Sequence, residues 1–174
     1  MRALQFWKAV TMDRSDFLER ILAVFEENGI RFCAIGGVGV NAYSYPVVTL
    51  DLDIAVALDD VERAEQILSH DFKVRRFAHS VNVTAPGSDL MVQIQTEPEY
   101  AAFVERAQVR EVLGLQLPVA AVEDVLQGKI WAALEPTRRP SKHLKDLSDI
   151  ARLIEACPHL KSHVPQKVLN QIPQ

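Results

Sequence analysis

Two aspartates one residue apart, Asp51 and Asp53, constrain the fold more than any other feature, because they interrupt an otherwise apolar run. Side chains on a strand alternate between its two faces, so Asp51 and Asp53 are predicted to point the same way. Leu52 and Ile54 then point into a core. Two adjacent carboxylates repel each other and are costly to bury unpaired. Hard divalent cations bind such oxygen ligands, so the run predicts a sheet strand with a metal site.

A pair of glycines precedes the aspartates. Gly36 and Gly37 end the apolar run 32–35, and thirteen residues separate Gly37 from Asp51. Glycine lets the backbone approach a phosphate closely, and the first N–H groups of a following helix add a positive end. The pair therefore predicts a phosphate-binding turn between a strand and a helix.

The same segment also fits a dinucleotide fingerprint, because residues 37–42 follow the pattern Gly-x-Gly-x-x-Ala. That fold needs a full helix before its second strand and an acidic residue at that strand's end. Here Pro46 stops the helix early, and the next strand begins with carboxylates instead. The dinucleotide interpretation is therefore disfavoured.

Apolar periodicity and turn residues predict the order of elements along the chain. The predicted helices are 15–28, 38–43, 59–69, 100–106, 122–134 and 144–156, and the predicted strands are 31–35, 49–58, 72–77, 81–84, 89–95 and 107–113. This order indicates an α/β (α+β) fold, a sheet core flanked by helices with a helical C-terminal lobe. The composition changes at Pro118, so we expect a core over 1–117 and a helical lobe over 118–174.

Composition and charge exclude several classes of protein. The chain has 174 residues, of which 48% are hydrophobic, enough for one domain with a core. No apolar run approaches the ~20 residues of a membrane helix, and the first residues are too mixed for a signal peptide. Cys33 lies in an apolar run far from Cys157, which predicts a buried free thiol and a cytoplasmic protein. The net charge of −4 argues against nonspecific nucleic-acid binding.

The motifs together resemble a known superfamily. The run Phe32-Cys33-Ala34-Ile35-Gly36-Gly37 followed by Asp51-Leu52-Asp53 resembles the signature of the DNA polymerase β-like nucleotidyltransferases. Residues 118–125, Lys129 and 142–150 are similar to small bacterial nucleotidyltransferase-like proteins. These include aminoglycoside and lincosamide nucleotidyltransferases and the toxins of abortive-infection toxin–antitoxin pairs. The resemblance covers about Ala34 to Ile154.

The resemblance implies a magnesium-dependent reaction on a nucleotidyltransferase-type mixed sheet. A nucleoside monophosphate would pass from a triphosphate to a hydroxyl, with release of pyrophosphate. Asp51 and Asp53 would hold a two-metal Mg²⁺ site together with a third carboxylate on a neighbouring strand. The candidate is Asp89, which follows a turn and opens an apolar strand, and would bind one metal and orient or deprotonate the acceptor. The alternative is a turn residue that faces water.

Basic residues between 129 and 145 give the chain a local positive segment, which is either an anion site or a solvated helix face. The resemblance makes Lys129, Lys142 and Lys145 candidate contacts of the triphosphate or the acceptor. The alternatives are a lysine extending past apolar neighbours at 129 and an exposed ion pair at 145. Trp131 is predicted to be a core residue rather than a base-stacking surface.

One feature departs from the superfamily pattern. Many of these enzymes carry an arginine just before the Asp-x-Asp strand, whereas the stretch 47–49 keeps only Thr49. One phosphate or substrate contact is therefore either absent or supplied by another residue, for which Arg138 and Arg139 are the candidates. The missing arginine favours an alternative function, a degenerate nucleotide-binding protein or a toxin–antitoxin component that acts through protein contacts. The acceptor is left open between a small hydroxylated molecule, a protein side chain and an RNA end. Whether the chain has a protein partner or antitoxin is also left open.

Overall fold

The computed structural model describes residues 3–173 of the chain. The helices are α1 (Ala3–Val10), α2 (Phe17–Glu27), α3 (Gly36–Asn41), α4 (Val61–Asp71), α5 (Pro98–Glu105), α6 (Val122–Leu134), α7 (Pro140–Ala156) and α8 (Gln166–Leu169). The strands are β1 (Phe32–Ala34), β2 (Asp51–Val56), β3 (Lys73–Arg76), β4 (Ser80–Thr84), β5 (Met91–Gln95), β6 (Gln108–Val112) and β7 (Leu115–Val119). Two 3₁₀ helices, Leu58–Asp60 and Pro158–His163, lie between them. No helix of this part of the chain is long and apolar enough to cross a membrane.

The described strands form one mixed sheet in the order β3-β4-β5-β2-β1-β7-β6. Strand β2 is central: it pairs antiparallel with β1 and parallel with β5. Strand β1 pairs parallel with β7. The mixed sheet flanked by helices confirms the predicted fold class.

Helices cover the two faces of the sheet unequally. On one face, α2 and α4 pack on Leu52, Ile54 and Val92 in a large apolar cluster. On the other face, α5, α6 and α7 form a second apolar cluster with Cys33 and Ala55, on β1 and the end of β2. The rest of that face, on β2, β5 and β4, carries half-buried polar side chains. The open polar part of the sheet is where Asp51 and Asp53 lie.

The predicted boundary between core and lobe does not coincide with the end of a strand. The division between 117 and 118 falls inside β7, which pairs with both β6 and β1. A proline usually argues against a central strand, and β7 contains Pro118. The missing N–H of Pro118 removes no hydrogen bond from the described pairing with β1. That parallel pairing joins Val119 to Ala34, and the backbone oxygen of Ala34 accepts from the amide of Ala120. The sheet core therefore continues to Val119.

The thiols follow their prediction as far as burial goes. Cys33 is free and fully buried, and burial raises its pKa to about 12. Cys157 is free and half-buried.

Because the thiolate is the reactive form, we expect Cys33 to stay unmodified in the folded protein at pH 8 while Cys157 reacts. Counting modified thiols with an aromatic disulfide reagent, before and after unfolding, tests this. Rapid modification of Cys33 in a Cys157→Ser variant that remains folded would contradict it.

Candidate active site

The two aspartates of β2 lie side by side on the open face of the sheet. Asp51 and Asp53 are half-buried, whereas Leu52 and Ile54 between and after them are 2% and 0% exposed on the opposite face. The predicted alternation is therefore the observed one. The strand holds both carboxylates on this open face, where a shared cation could reach them, and the Asp53 carboxylate also lines a cleft.

The glycine turn packs directly against the Asp53 carboxylate. Gly36 follows β1 with φ of +57°, and a Cβ added to it would lie 2.2 Å from Asp53 Oδ2. The adjacent amide of Ile35 donates to the backbone oxygen of Asp53 at 2.9 Å. Gly37 is different, because a Cβ there would meet Thr49 Oγ1 at 3.6 Å and Lys145 Nζ at 3.8 Å, which are ordinary contacts. Of these two glycines, Gly36 is the one whose position excludes a side chain.

This difference gives a matched pair of variants. We expect Gly36→Ala to displace the Asp53 carboxylate and to add ~1–2 kcal/mol of backbone strain, since φ is positive. Binding of a metal–nucleotide complex should fall sharply. Gly37→Ala should keep the fold, because its Cβ fits. Circular dichroism compares the folding of the two variants, and calorimetric titration with Mg²⁺ and a nucleoside triphosphate measures their binding. Wild-type affinity in a folded Gly36→Ala variant would show that the Gly36–Asp53 contact is unimportant.

Two of the three predicted lysines reach the aspartates and the glycine turn. Lys142 Nζ lies 3.4 Å from Asp51 Oδ2. Lys145 Nζ lies near Gly37, 3.8 Å from where a Cβ would be. Both lysines come from the first half of α7, so this helix brings positive charge to the carboxylates.

The third lysine is held inside the protein. Lys129 is buried on α6 and pairs with two carboxylates of α7, at 3.1 Å from Asp146 Oδ1 and 2.8 Å from Asp149 Oδ2. Burial alone would lower the pKa of Lys129, but the charges of Asp149 and Asp146 outweigh burial and raise it. Lys129 therefore joins α6 to α7, and it also lines the cleft with Asp53, so its role as a triphosphate contact stays a prediction.

Arginines extend this pairing. Arg138 pairs with Asp146 at 2.8 Å, and Arg152 pairs with Asp149 at 2.8 Å. Arg152 also donates to Asn41 Oδ1 at 2.9 Å, and the same Asn41 oxygen accepts from the amide of Val47 at 2.9 Å. The stretch before β2 that lacks the expected arginine is thus tied through Asn41 to an arginine of α7.

The predicted substitutes for that arginine are placed differently. Arg138 is half-buried and lines the cleft beside Asp53, whereas Arg139 is exposed and is not among the residues that line it. Only Arg138 is positioned to meet a ligand there.

Asp89 does not join the other two aspartates. Strands β2 and β5 are in register with Asp53 opposite Gln93 and Asp51 opposite Met91. Asp89 lies four residues before Gln93, a displacement of about 13 Å at ~3.3 Å per residue. It is exposed, and its amide donates to the backbone oxygen of Thr11 at 2.8 Å. The predicted three-carboxylate cluster is therefore not assembled, because the register places an amide side chain next to Asp53.

The surroundings make the Asp53 carboxyl easier to protonate. Burial raises its pKa, and the charge of Asp51 adds to the rise, against an opposing effect of Lys129, Lys145 and Lys142. Within residues 3–173, no hydrogen bond or ion pair holds the Asp53 side chain. A partly buried carboxylate without a partner is one that a bound cation would stabilise.

A cleft of about 720 Å³ opens from Asp53 between the sheet and α6. It is lined by Gly36, Asp53, Gln93 and Lys129, and also by Glu97, Tyr100, Trp131 and Glu135. Tyr100 and Trp131 meet edge to face with centroids 5.3 Å apart. Trp131 was predicted to be a core residue, but it is 38% exposed and forms a wall of the cleft. Burial raises the pKa of Tyr100 to about 12, so its hydroxyl stays neutral.

Sequence reasoning missed Gln93, Tyr100 and Trp131. No local pattern marks Gln93, because its importance comes from pairing with a strand far away in the sequence. Gly128 offers a weak signal for the aromatic wall: a Cβ there would lie 3.4 Å from Tyr100 Cε1, so the glycine gives the ring room on α6.

The donor set fits one hard divalent cation. Asp51 and Asp53 supply carboxylate oxygens, which Mg²⁺ prefers, and Mg²⁺ is commonly held by one or two carboxylates together with waters and substrate phosphates. Among the described residues, no group of three or more His, Cys, Asp or Glu side chains could hold a metal. The carboxylates of this cleft therefore support a site that is completed by a ligand.

Comparison with known proteins identifies the fold. No protein-family model and no curated protein matches the sequence. The chain is similar in structure to ANT(2'')-Ia in complex with adenylyl-2''-tobramycin, with a TM-score of 0.59 and 15% identity over 88% of this chain and 91% of that chain. The chain is also similar to a solution structure of the same antibiotic-resistance factor, with a TM-score of 0.56 and 14% identity over 88% of this chain and 93% of that chain.

A second similar protein is the lincomycin-bound lincosamide antibiotic adenylyltransferase LnuA, with a TM-score of 0.55 and 14% identity over 81% of this chain and 98% of that chain. The chain therefore has the nucleotidyltransferase fold, as the sequence motifs implied. At this level of identity, the likeness concerns the fold, and the reaction has to be argued from the site.

Proposed function

We propose that the chain is a magnesium-dependent nucleotidyltransferase that moves a nucleoside monophosphate from a triphosphate to a hydroxyl acceptor, releasing pyrophosphate. The observation that carries the proposal is the pair Asp51 and Asp53 on the open face of the sheet, where Asp53 lines a cleft against a glycine turn that leaves room for its carboxylate. Lysines at the same place add positive charge for phosphates.

Each group has a role in the proposal. Asp51 and Asp53 would hold Mg²⁺, which supplies charge neutralisation at the triphosphate. Lys142 and Lys145 would contact phosphate oxygens, since both lie beside the metal-binding carboxylates or the turn. Gly37 would lie at the phosphates, because the ammonium group of Lys145 comes close to it.

The acceptor would lie in the cleft against its aromatic wall. Tyr100 and Trp131 offer apolar surface, and Glu97 and Glu135 offer hydrogen-bond acceptors. A concave site with aromatic walls and a few polar groups suits a small molecule. The similar proteins are described with lincomycin and with adenylyl-2''-tobramycin, and we propose a small hydroxylated acceptor here. A cytoplasmic location stays a prediction.

A second candidate function is nucleotide binding without turnover, including the role of a toxin–antitoxin component. The displacement of Asp89 favours it, because the third carboxylate and candidate general base is not at the site. General-base catalysis typically contributes ~10²–10⁴-fold. The two functions share the nucleotide complex and differ in whether pyrophosphate appears.

The test has two stages. Calorimetry with each nucleoside triphosphate, with and without Mg²⁺, measures binding; a pyrophosphate assay with a panel of hydroxylated small molecules, peptides and RNA then measures transfer. Magnesium-dependent binding with acceptor-dependent pyrophosphate release is the expected result. Binding without release from any acceptor would support the second function. No binding of any nucleotide would rule out both transfer and nucleotide binding, and would leave a toxin–antitoxin component that acts through protein contacts.

A further inference from the structure

The side chain opposite Asp53 on the neighbouring strand is an amide. Strands β2 and β5 are parallel, with Asp53 paired with Gln93 and Ala55 with Gln95. Paired residues share a face, and adjacent strands lie about 4.8 Å apart. Gln93 lines the cleft together with Asp53, and no hydrogen bond or ion pair from residues 3–173 holds its side chain. A neutral group therefore stands where one more carboxylate would complete a cluster of three.

The charges at this place balance one divalent cation. Asp51 and Asp53 carry two negative charges, and Lys142 already lies 3.4 Å from Asp51 Oδ2. A second divalent cation about 3.5–4 Å from the first would meet no additional carboxylate. Two doubly charged ions also repel each other four times as strongly as two unit charges at the same distance. An amide oxygen offers a dipole against this repulsion but no charge.

We propose that the site binds one divalent cation per chain, on Asp51 and Asp53, and that the neutral side chain of Gln93 is what keeps a second cation from binding. The inference rests on the proposed function, because it concerns the same site, and it replaces the two-metal arrangement that the sequence resemblance implied. An amide also accepts no proton near neutral pH, so position 93 supplies no general base.

The test adds a charge at position 93 without changing the length of the side chain. Mn²⁺ is titrated onto wild type and Gln93→Glu, alone and with an equimolar non-hydrolysable nucleoside triphosphate analogue. Electron paramagnetic resonance counts the bound ions. We expect one ion and an uncoupled six-line spectrum for wild type, and two ions with a spin-coupled spectrum for Gln93→Glu. Coupling reports ions about 3.5–4 Å apart.

Gln95→Glu is the matched control. Gln95 lines the same cleft on the same face of β5, but it pairs with Ala55 and lies one row further from Asp51. The added charge is identical, and only its position differs, so this variant should stay at one ion. Gln93→Asp provides a second carboxylate variant if circular dichroism shows that Gln93→Glu is not folded.

The possible results separate the inference from the proposed function. Two coupled ions on wild type, one ion on both folded position-93 variants, or two ions on Gln95→Glu would each overturn the inference while leaving a metal–nucleotide site. Wild type that takes up no ion in either titration would overturn the proposed function and, with it, this inference.

Discussion

Lys129→Met should lower the free energy of unfolding by about 3 kcal/mol, because removing one partner of a buried ion pair leaves uncompensated buried charge. The side chain of Lys129 is 9% exposed, and those of its partners Asp146 and Asp149 are 2% and 4% exposed. We expect the lower part of the usual ~3–5 kcal/mol range, since Arg138 and Arg152 still pair with the two carboxylates. Urea denaturation followed by circular dichroism measures the change.

Lys142→Met is the control for this experiment. Its side chain is 41% exposed and its ion pair with Asp51 spans 3.4 Å. Exposed pairs contribute about 0–1 kcal/mol, so stability should barely change. If Lys129→Met were as stable as Lys142→Met, the buried cluster would not be what holds α6 and α7 together.

The part of the fold that local sequence determines was predicted well. The alternation around Asp51 and Asp53 and the glycine turn specify a strand, a break and a carboxylate pair within 20 residues or so of chain. Helix α6 begins and ends where its apolar periodicity predicts. These features depend on neighbours in sequence, which is why one sequence is enough for them.

The errors concern strands and helices that meet from distant parts of the chain. Asp89 was chosen because it opens an apolar run, but only the pairing of β5 with β2 decides which side chain lies beside Asp53, and that register selects Gln93. Strand β7 was missed because Pro118 argues against a strand unless its position in the sheet is known.

The buried cluster could have been found from sequence. Asp146 and Asp149 are three residues apart on a helix, so they share a face with Leu147, Ile150 and Leu153, which are apolar. Carboxylates on an inward face require a buried cation, and Lys129 stands among apolar residues on the preceding helix. The crossing of the two helices, which sets the 2.8–3.1 Å distances, depends on tertiary packing.

Asp53→Asn has the largest effect that we expect on function. It should weaken nucleotide binding, whereas it should raise the stability of the protein when no metal is bound. Losing a direct metal ligand should weaken magnesium-dependent nucleotide binding at least as much as losing an outer-shell partner, about 10–100-fold. Without metal, however, the variant should be more stable than wild type at neutral pH. Calorimetry and urea denaturation, the latter in a chelator, measure the two effects.

The direction of the stability effect follows from the pKa of Asp53. Burial raises this pKa above the usual value of an aspartate, which the unfolded chain keeps. Between the unfolded and folded values, the unfolded chain has therefore already lost a proton that the folded protein retains. Stability therefore falls as pH rises through that window. Asparagine does not titrate, so the advantage of the variant should be absent below the unfolded value, grow as pH rises, and level off above the folded value.

Asp89→Asn separates this effect from a general change of charge. Asp89 is exposed and is not among the residues that line the cleft, so the same substitution there should leave nucleotide affinity unchanged. Adding Mg²⁺ and nucleotide should reverse the order of stability between wild type and Asp53→Asn, because a ligand stabilises only the protein that binds it. Equal stabilisation of both proteins by the ligand would show that Asp53 does not hold the cation.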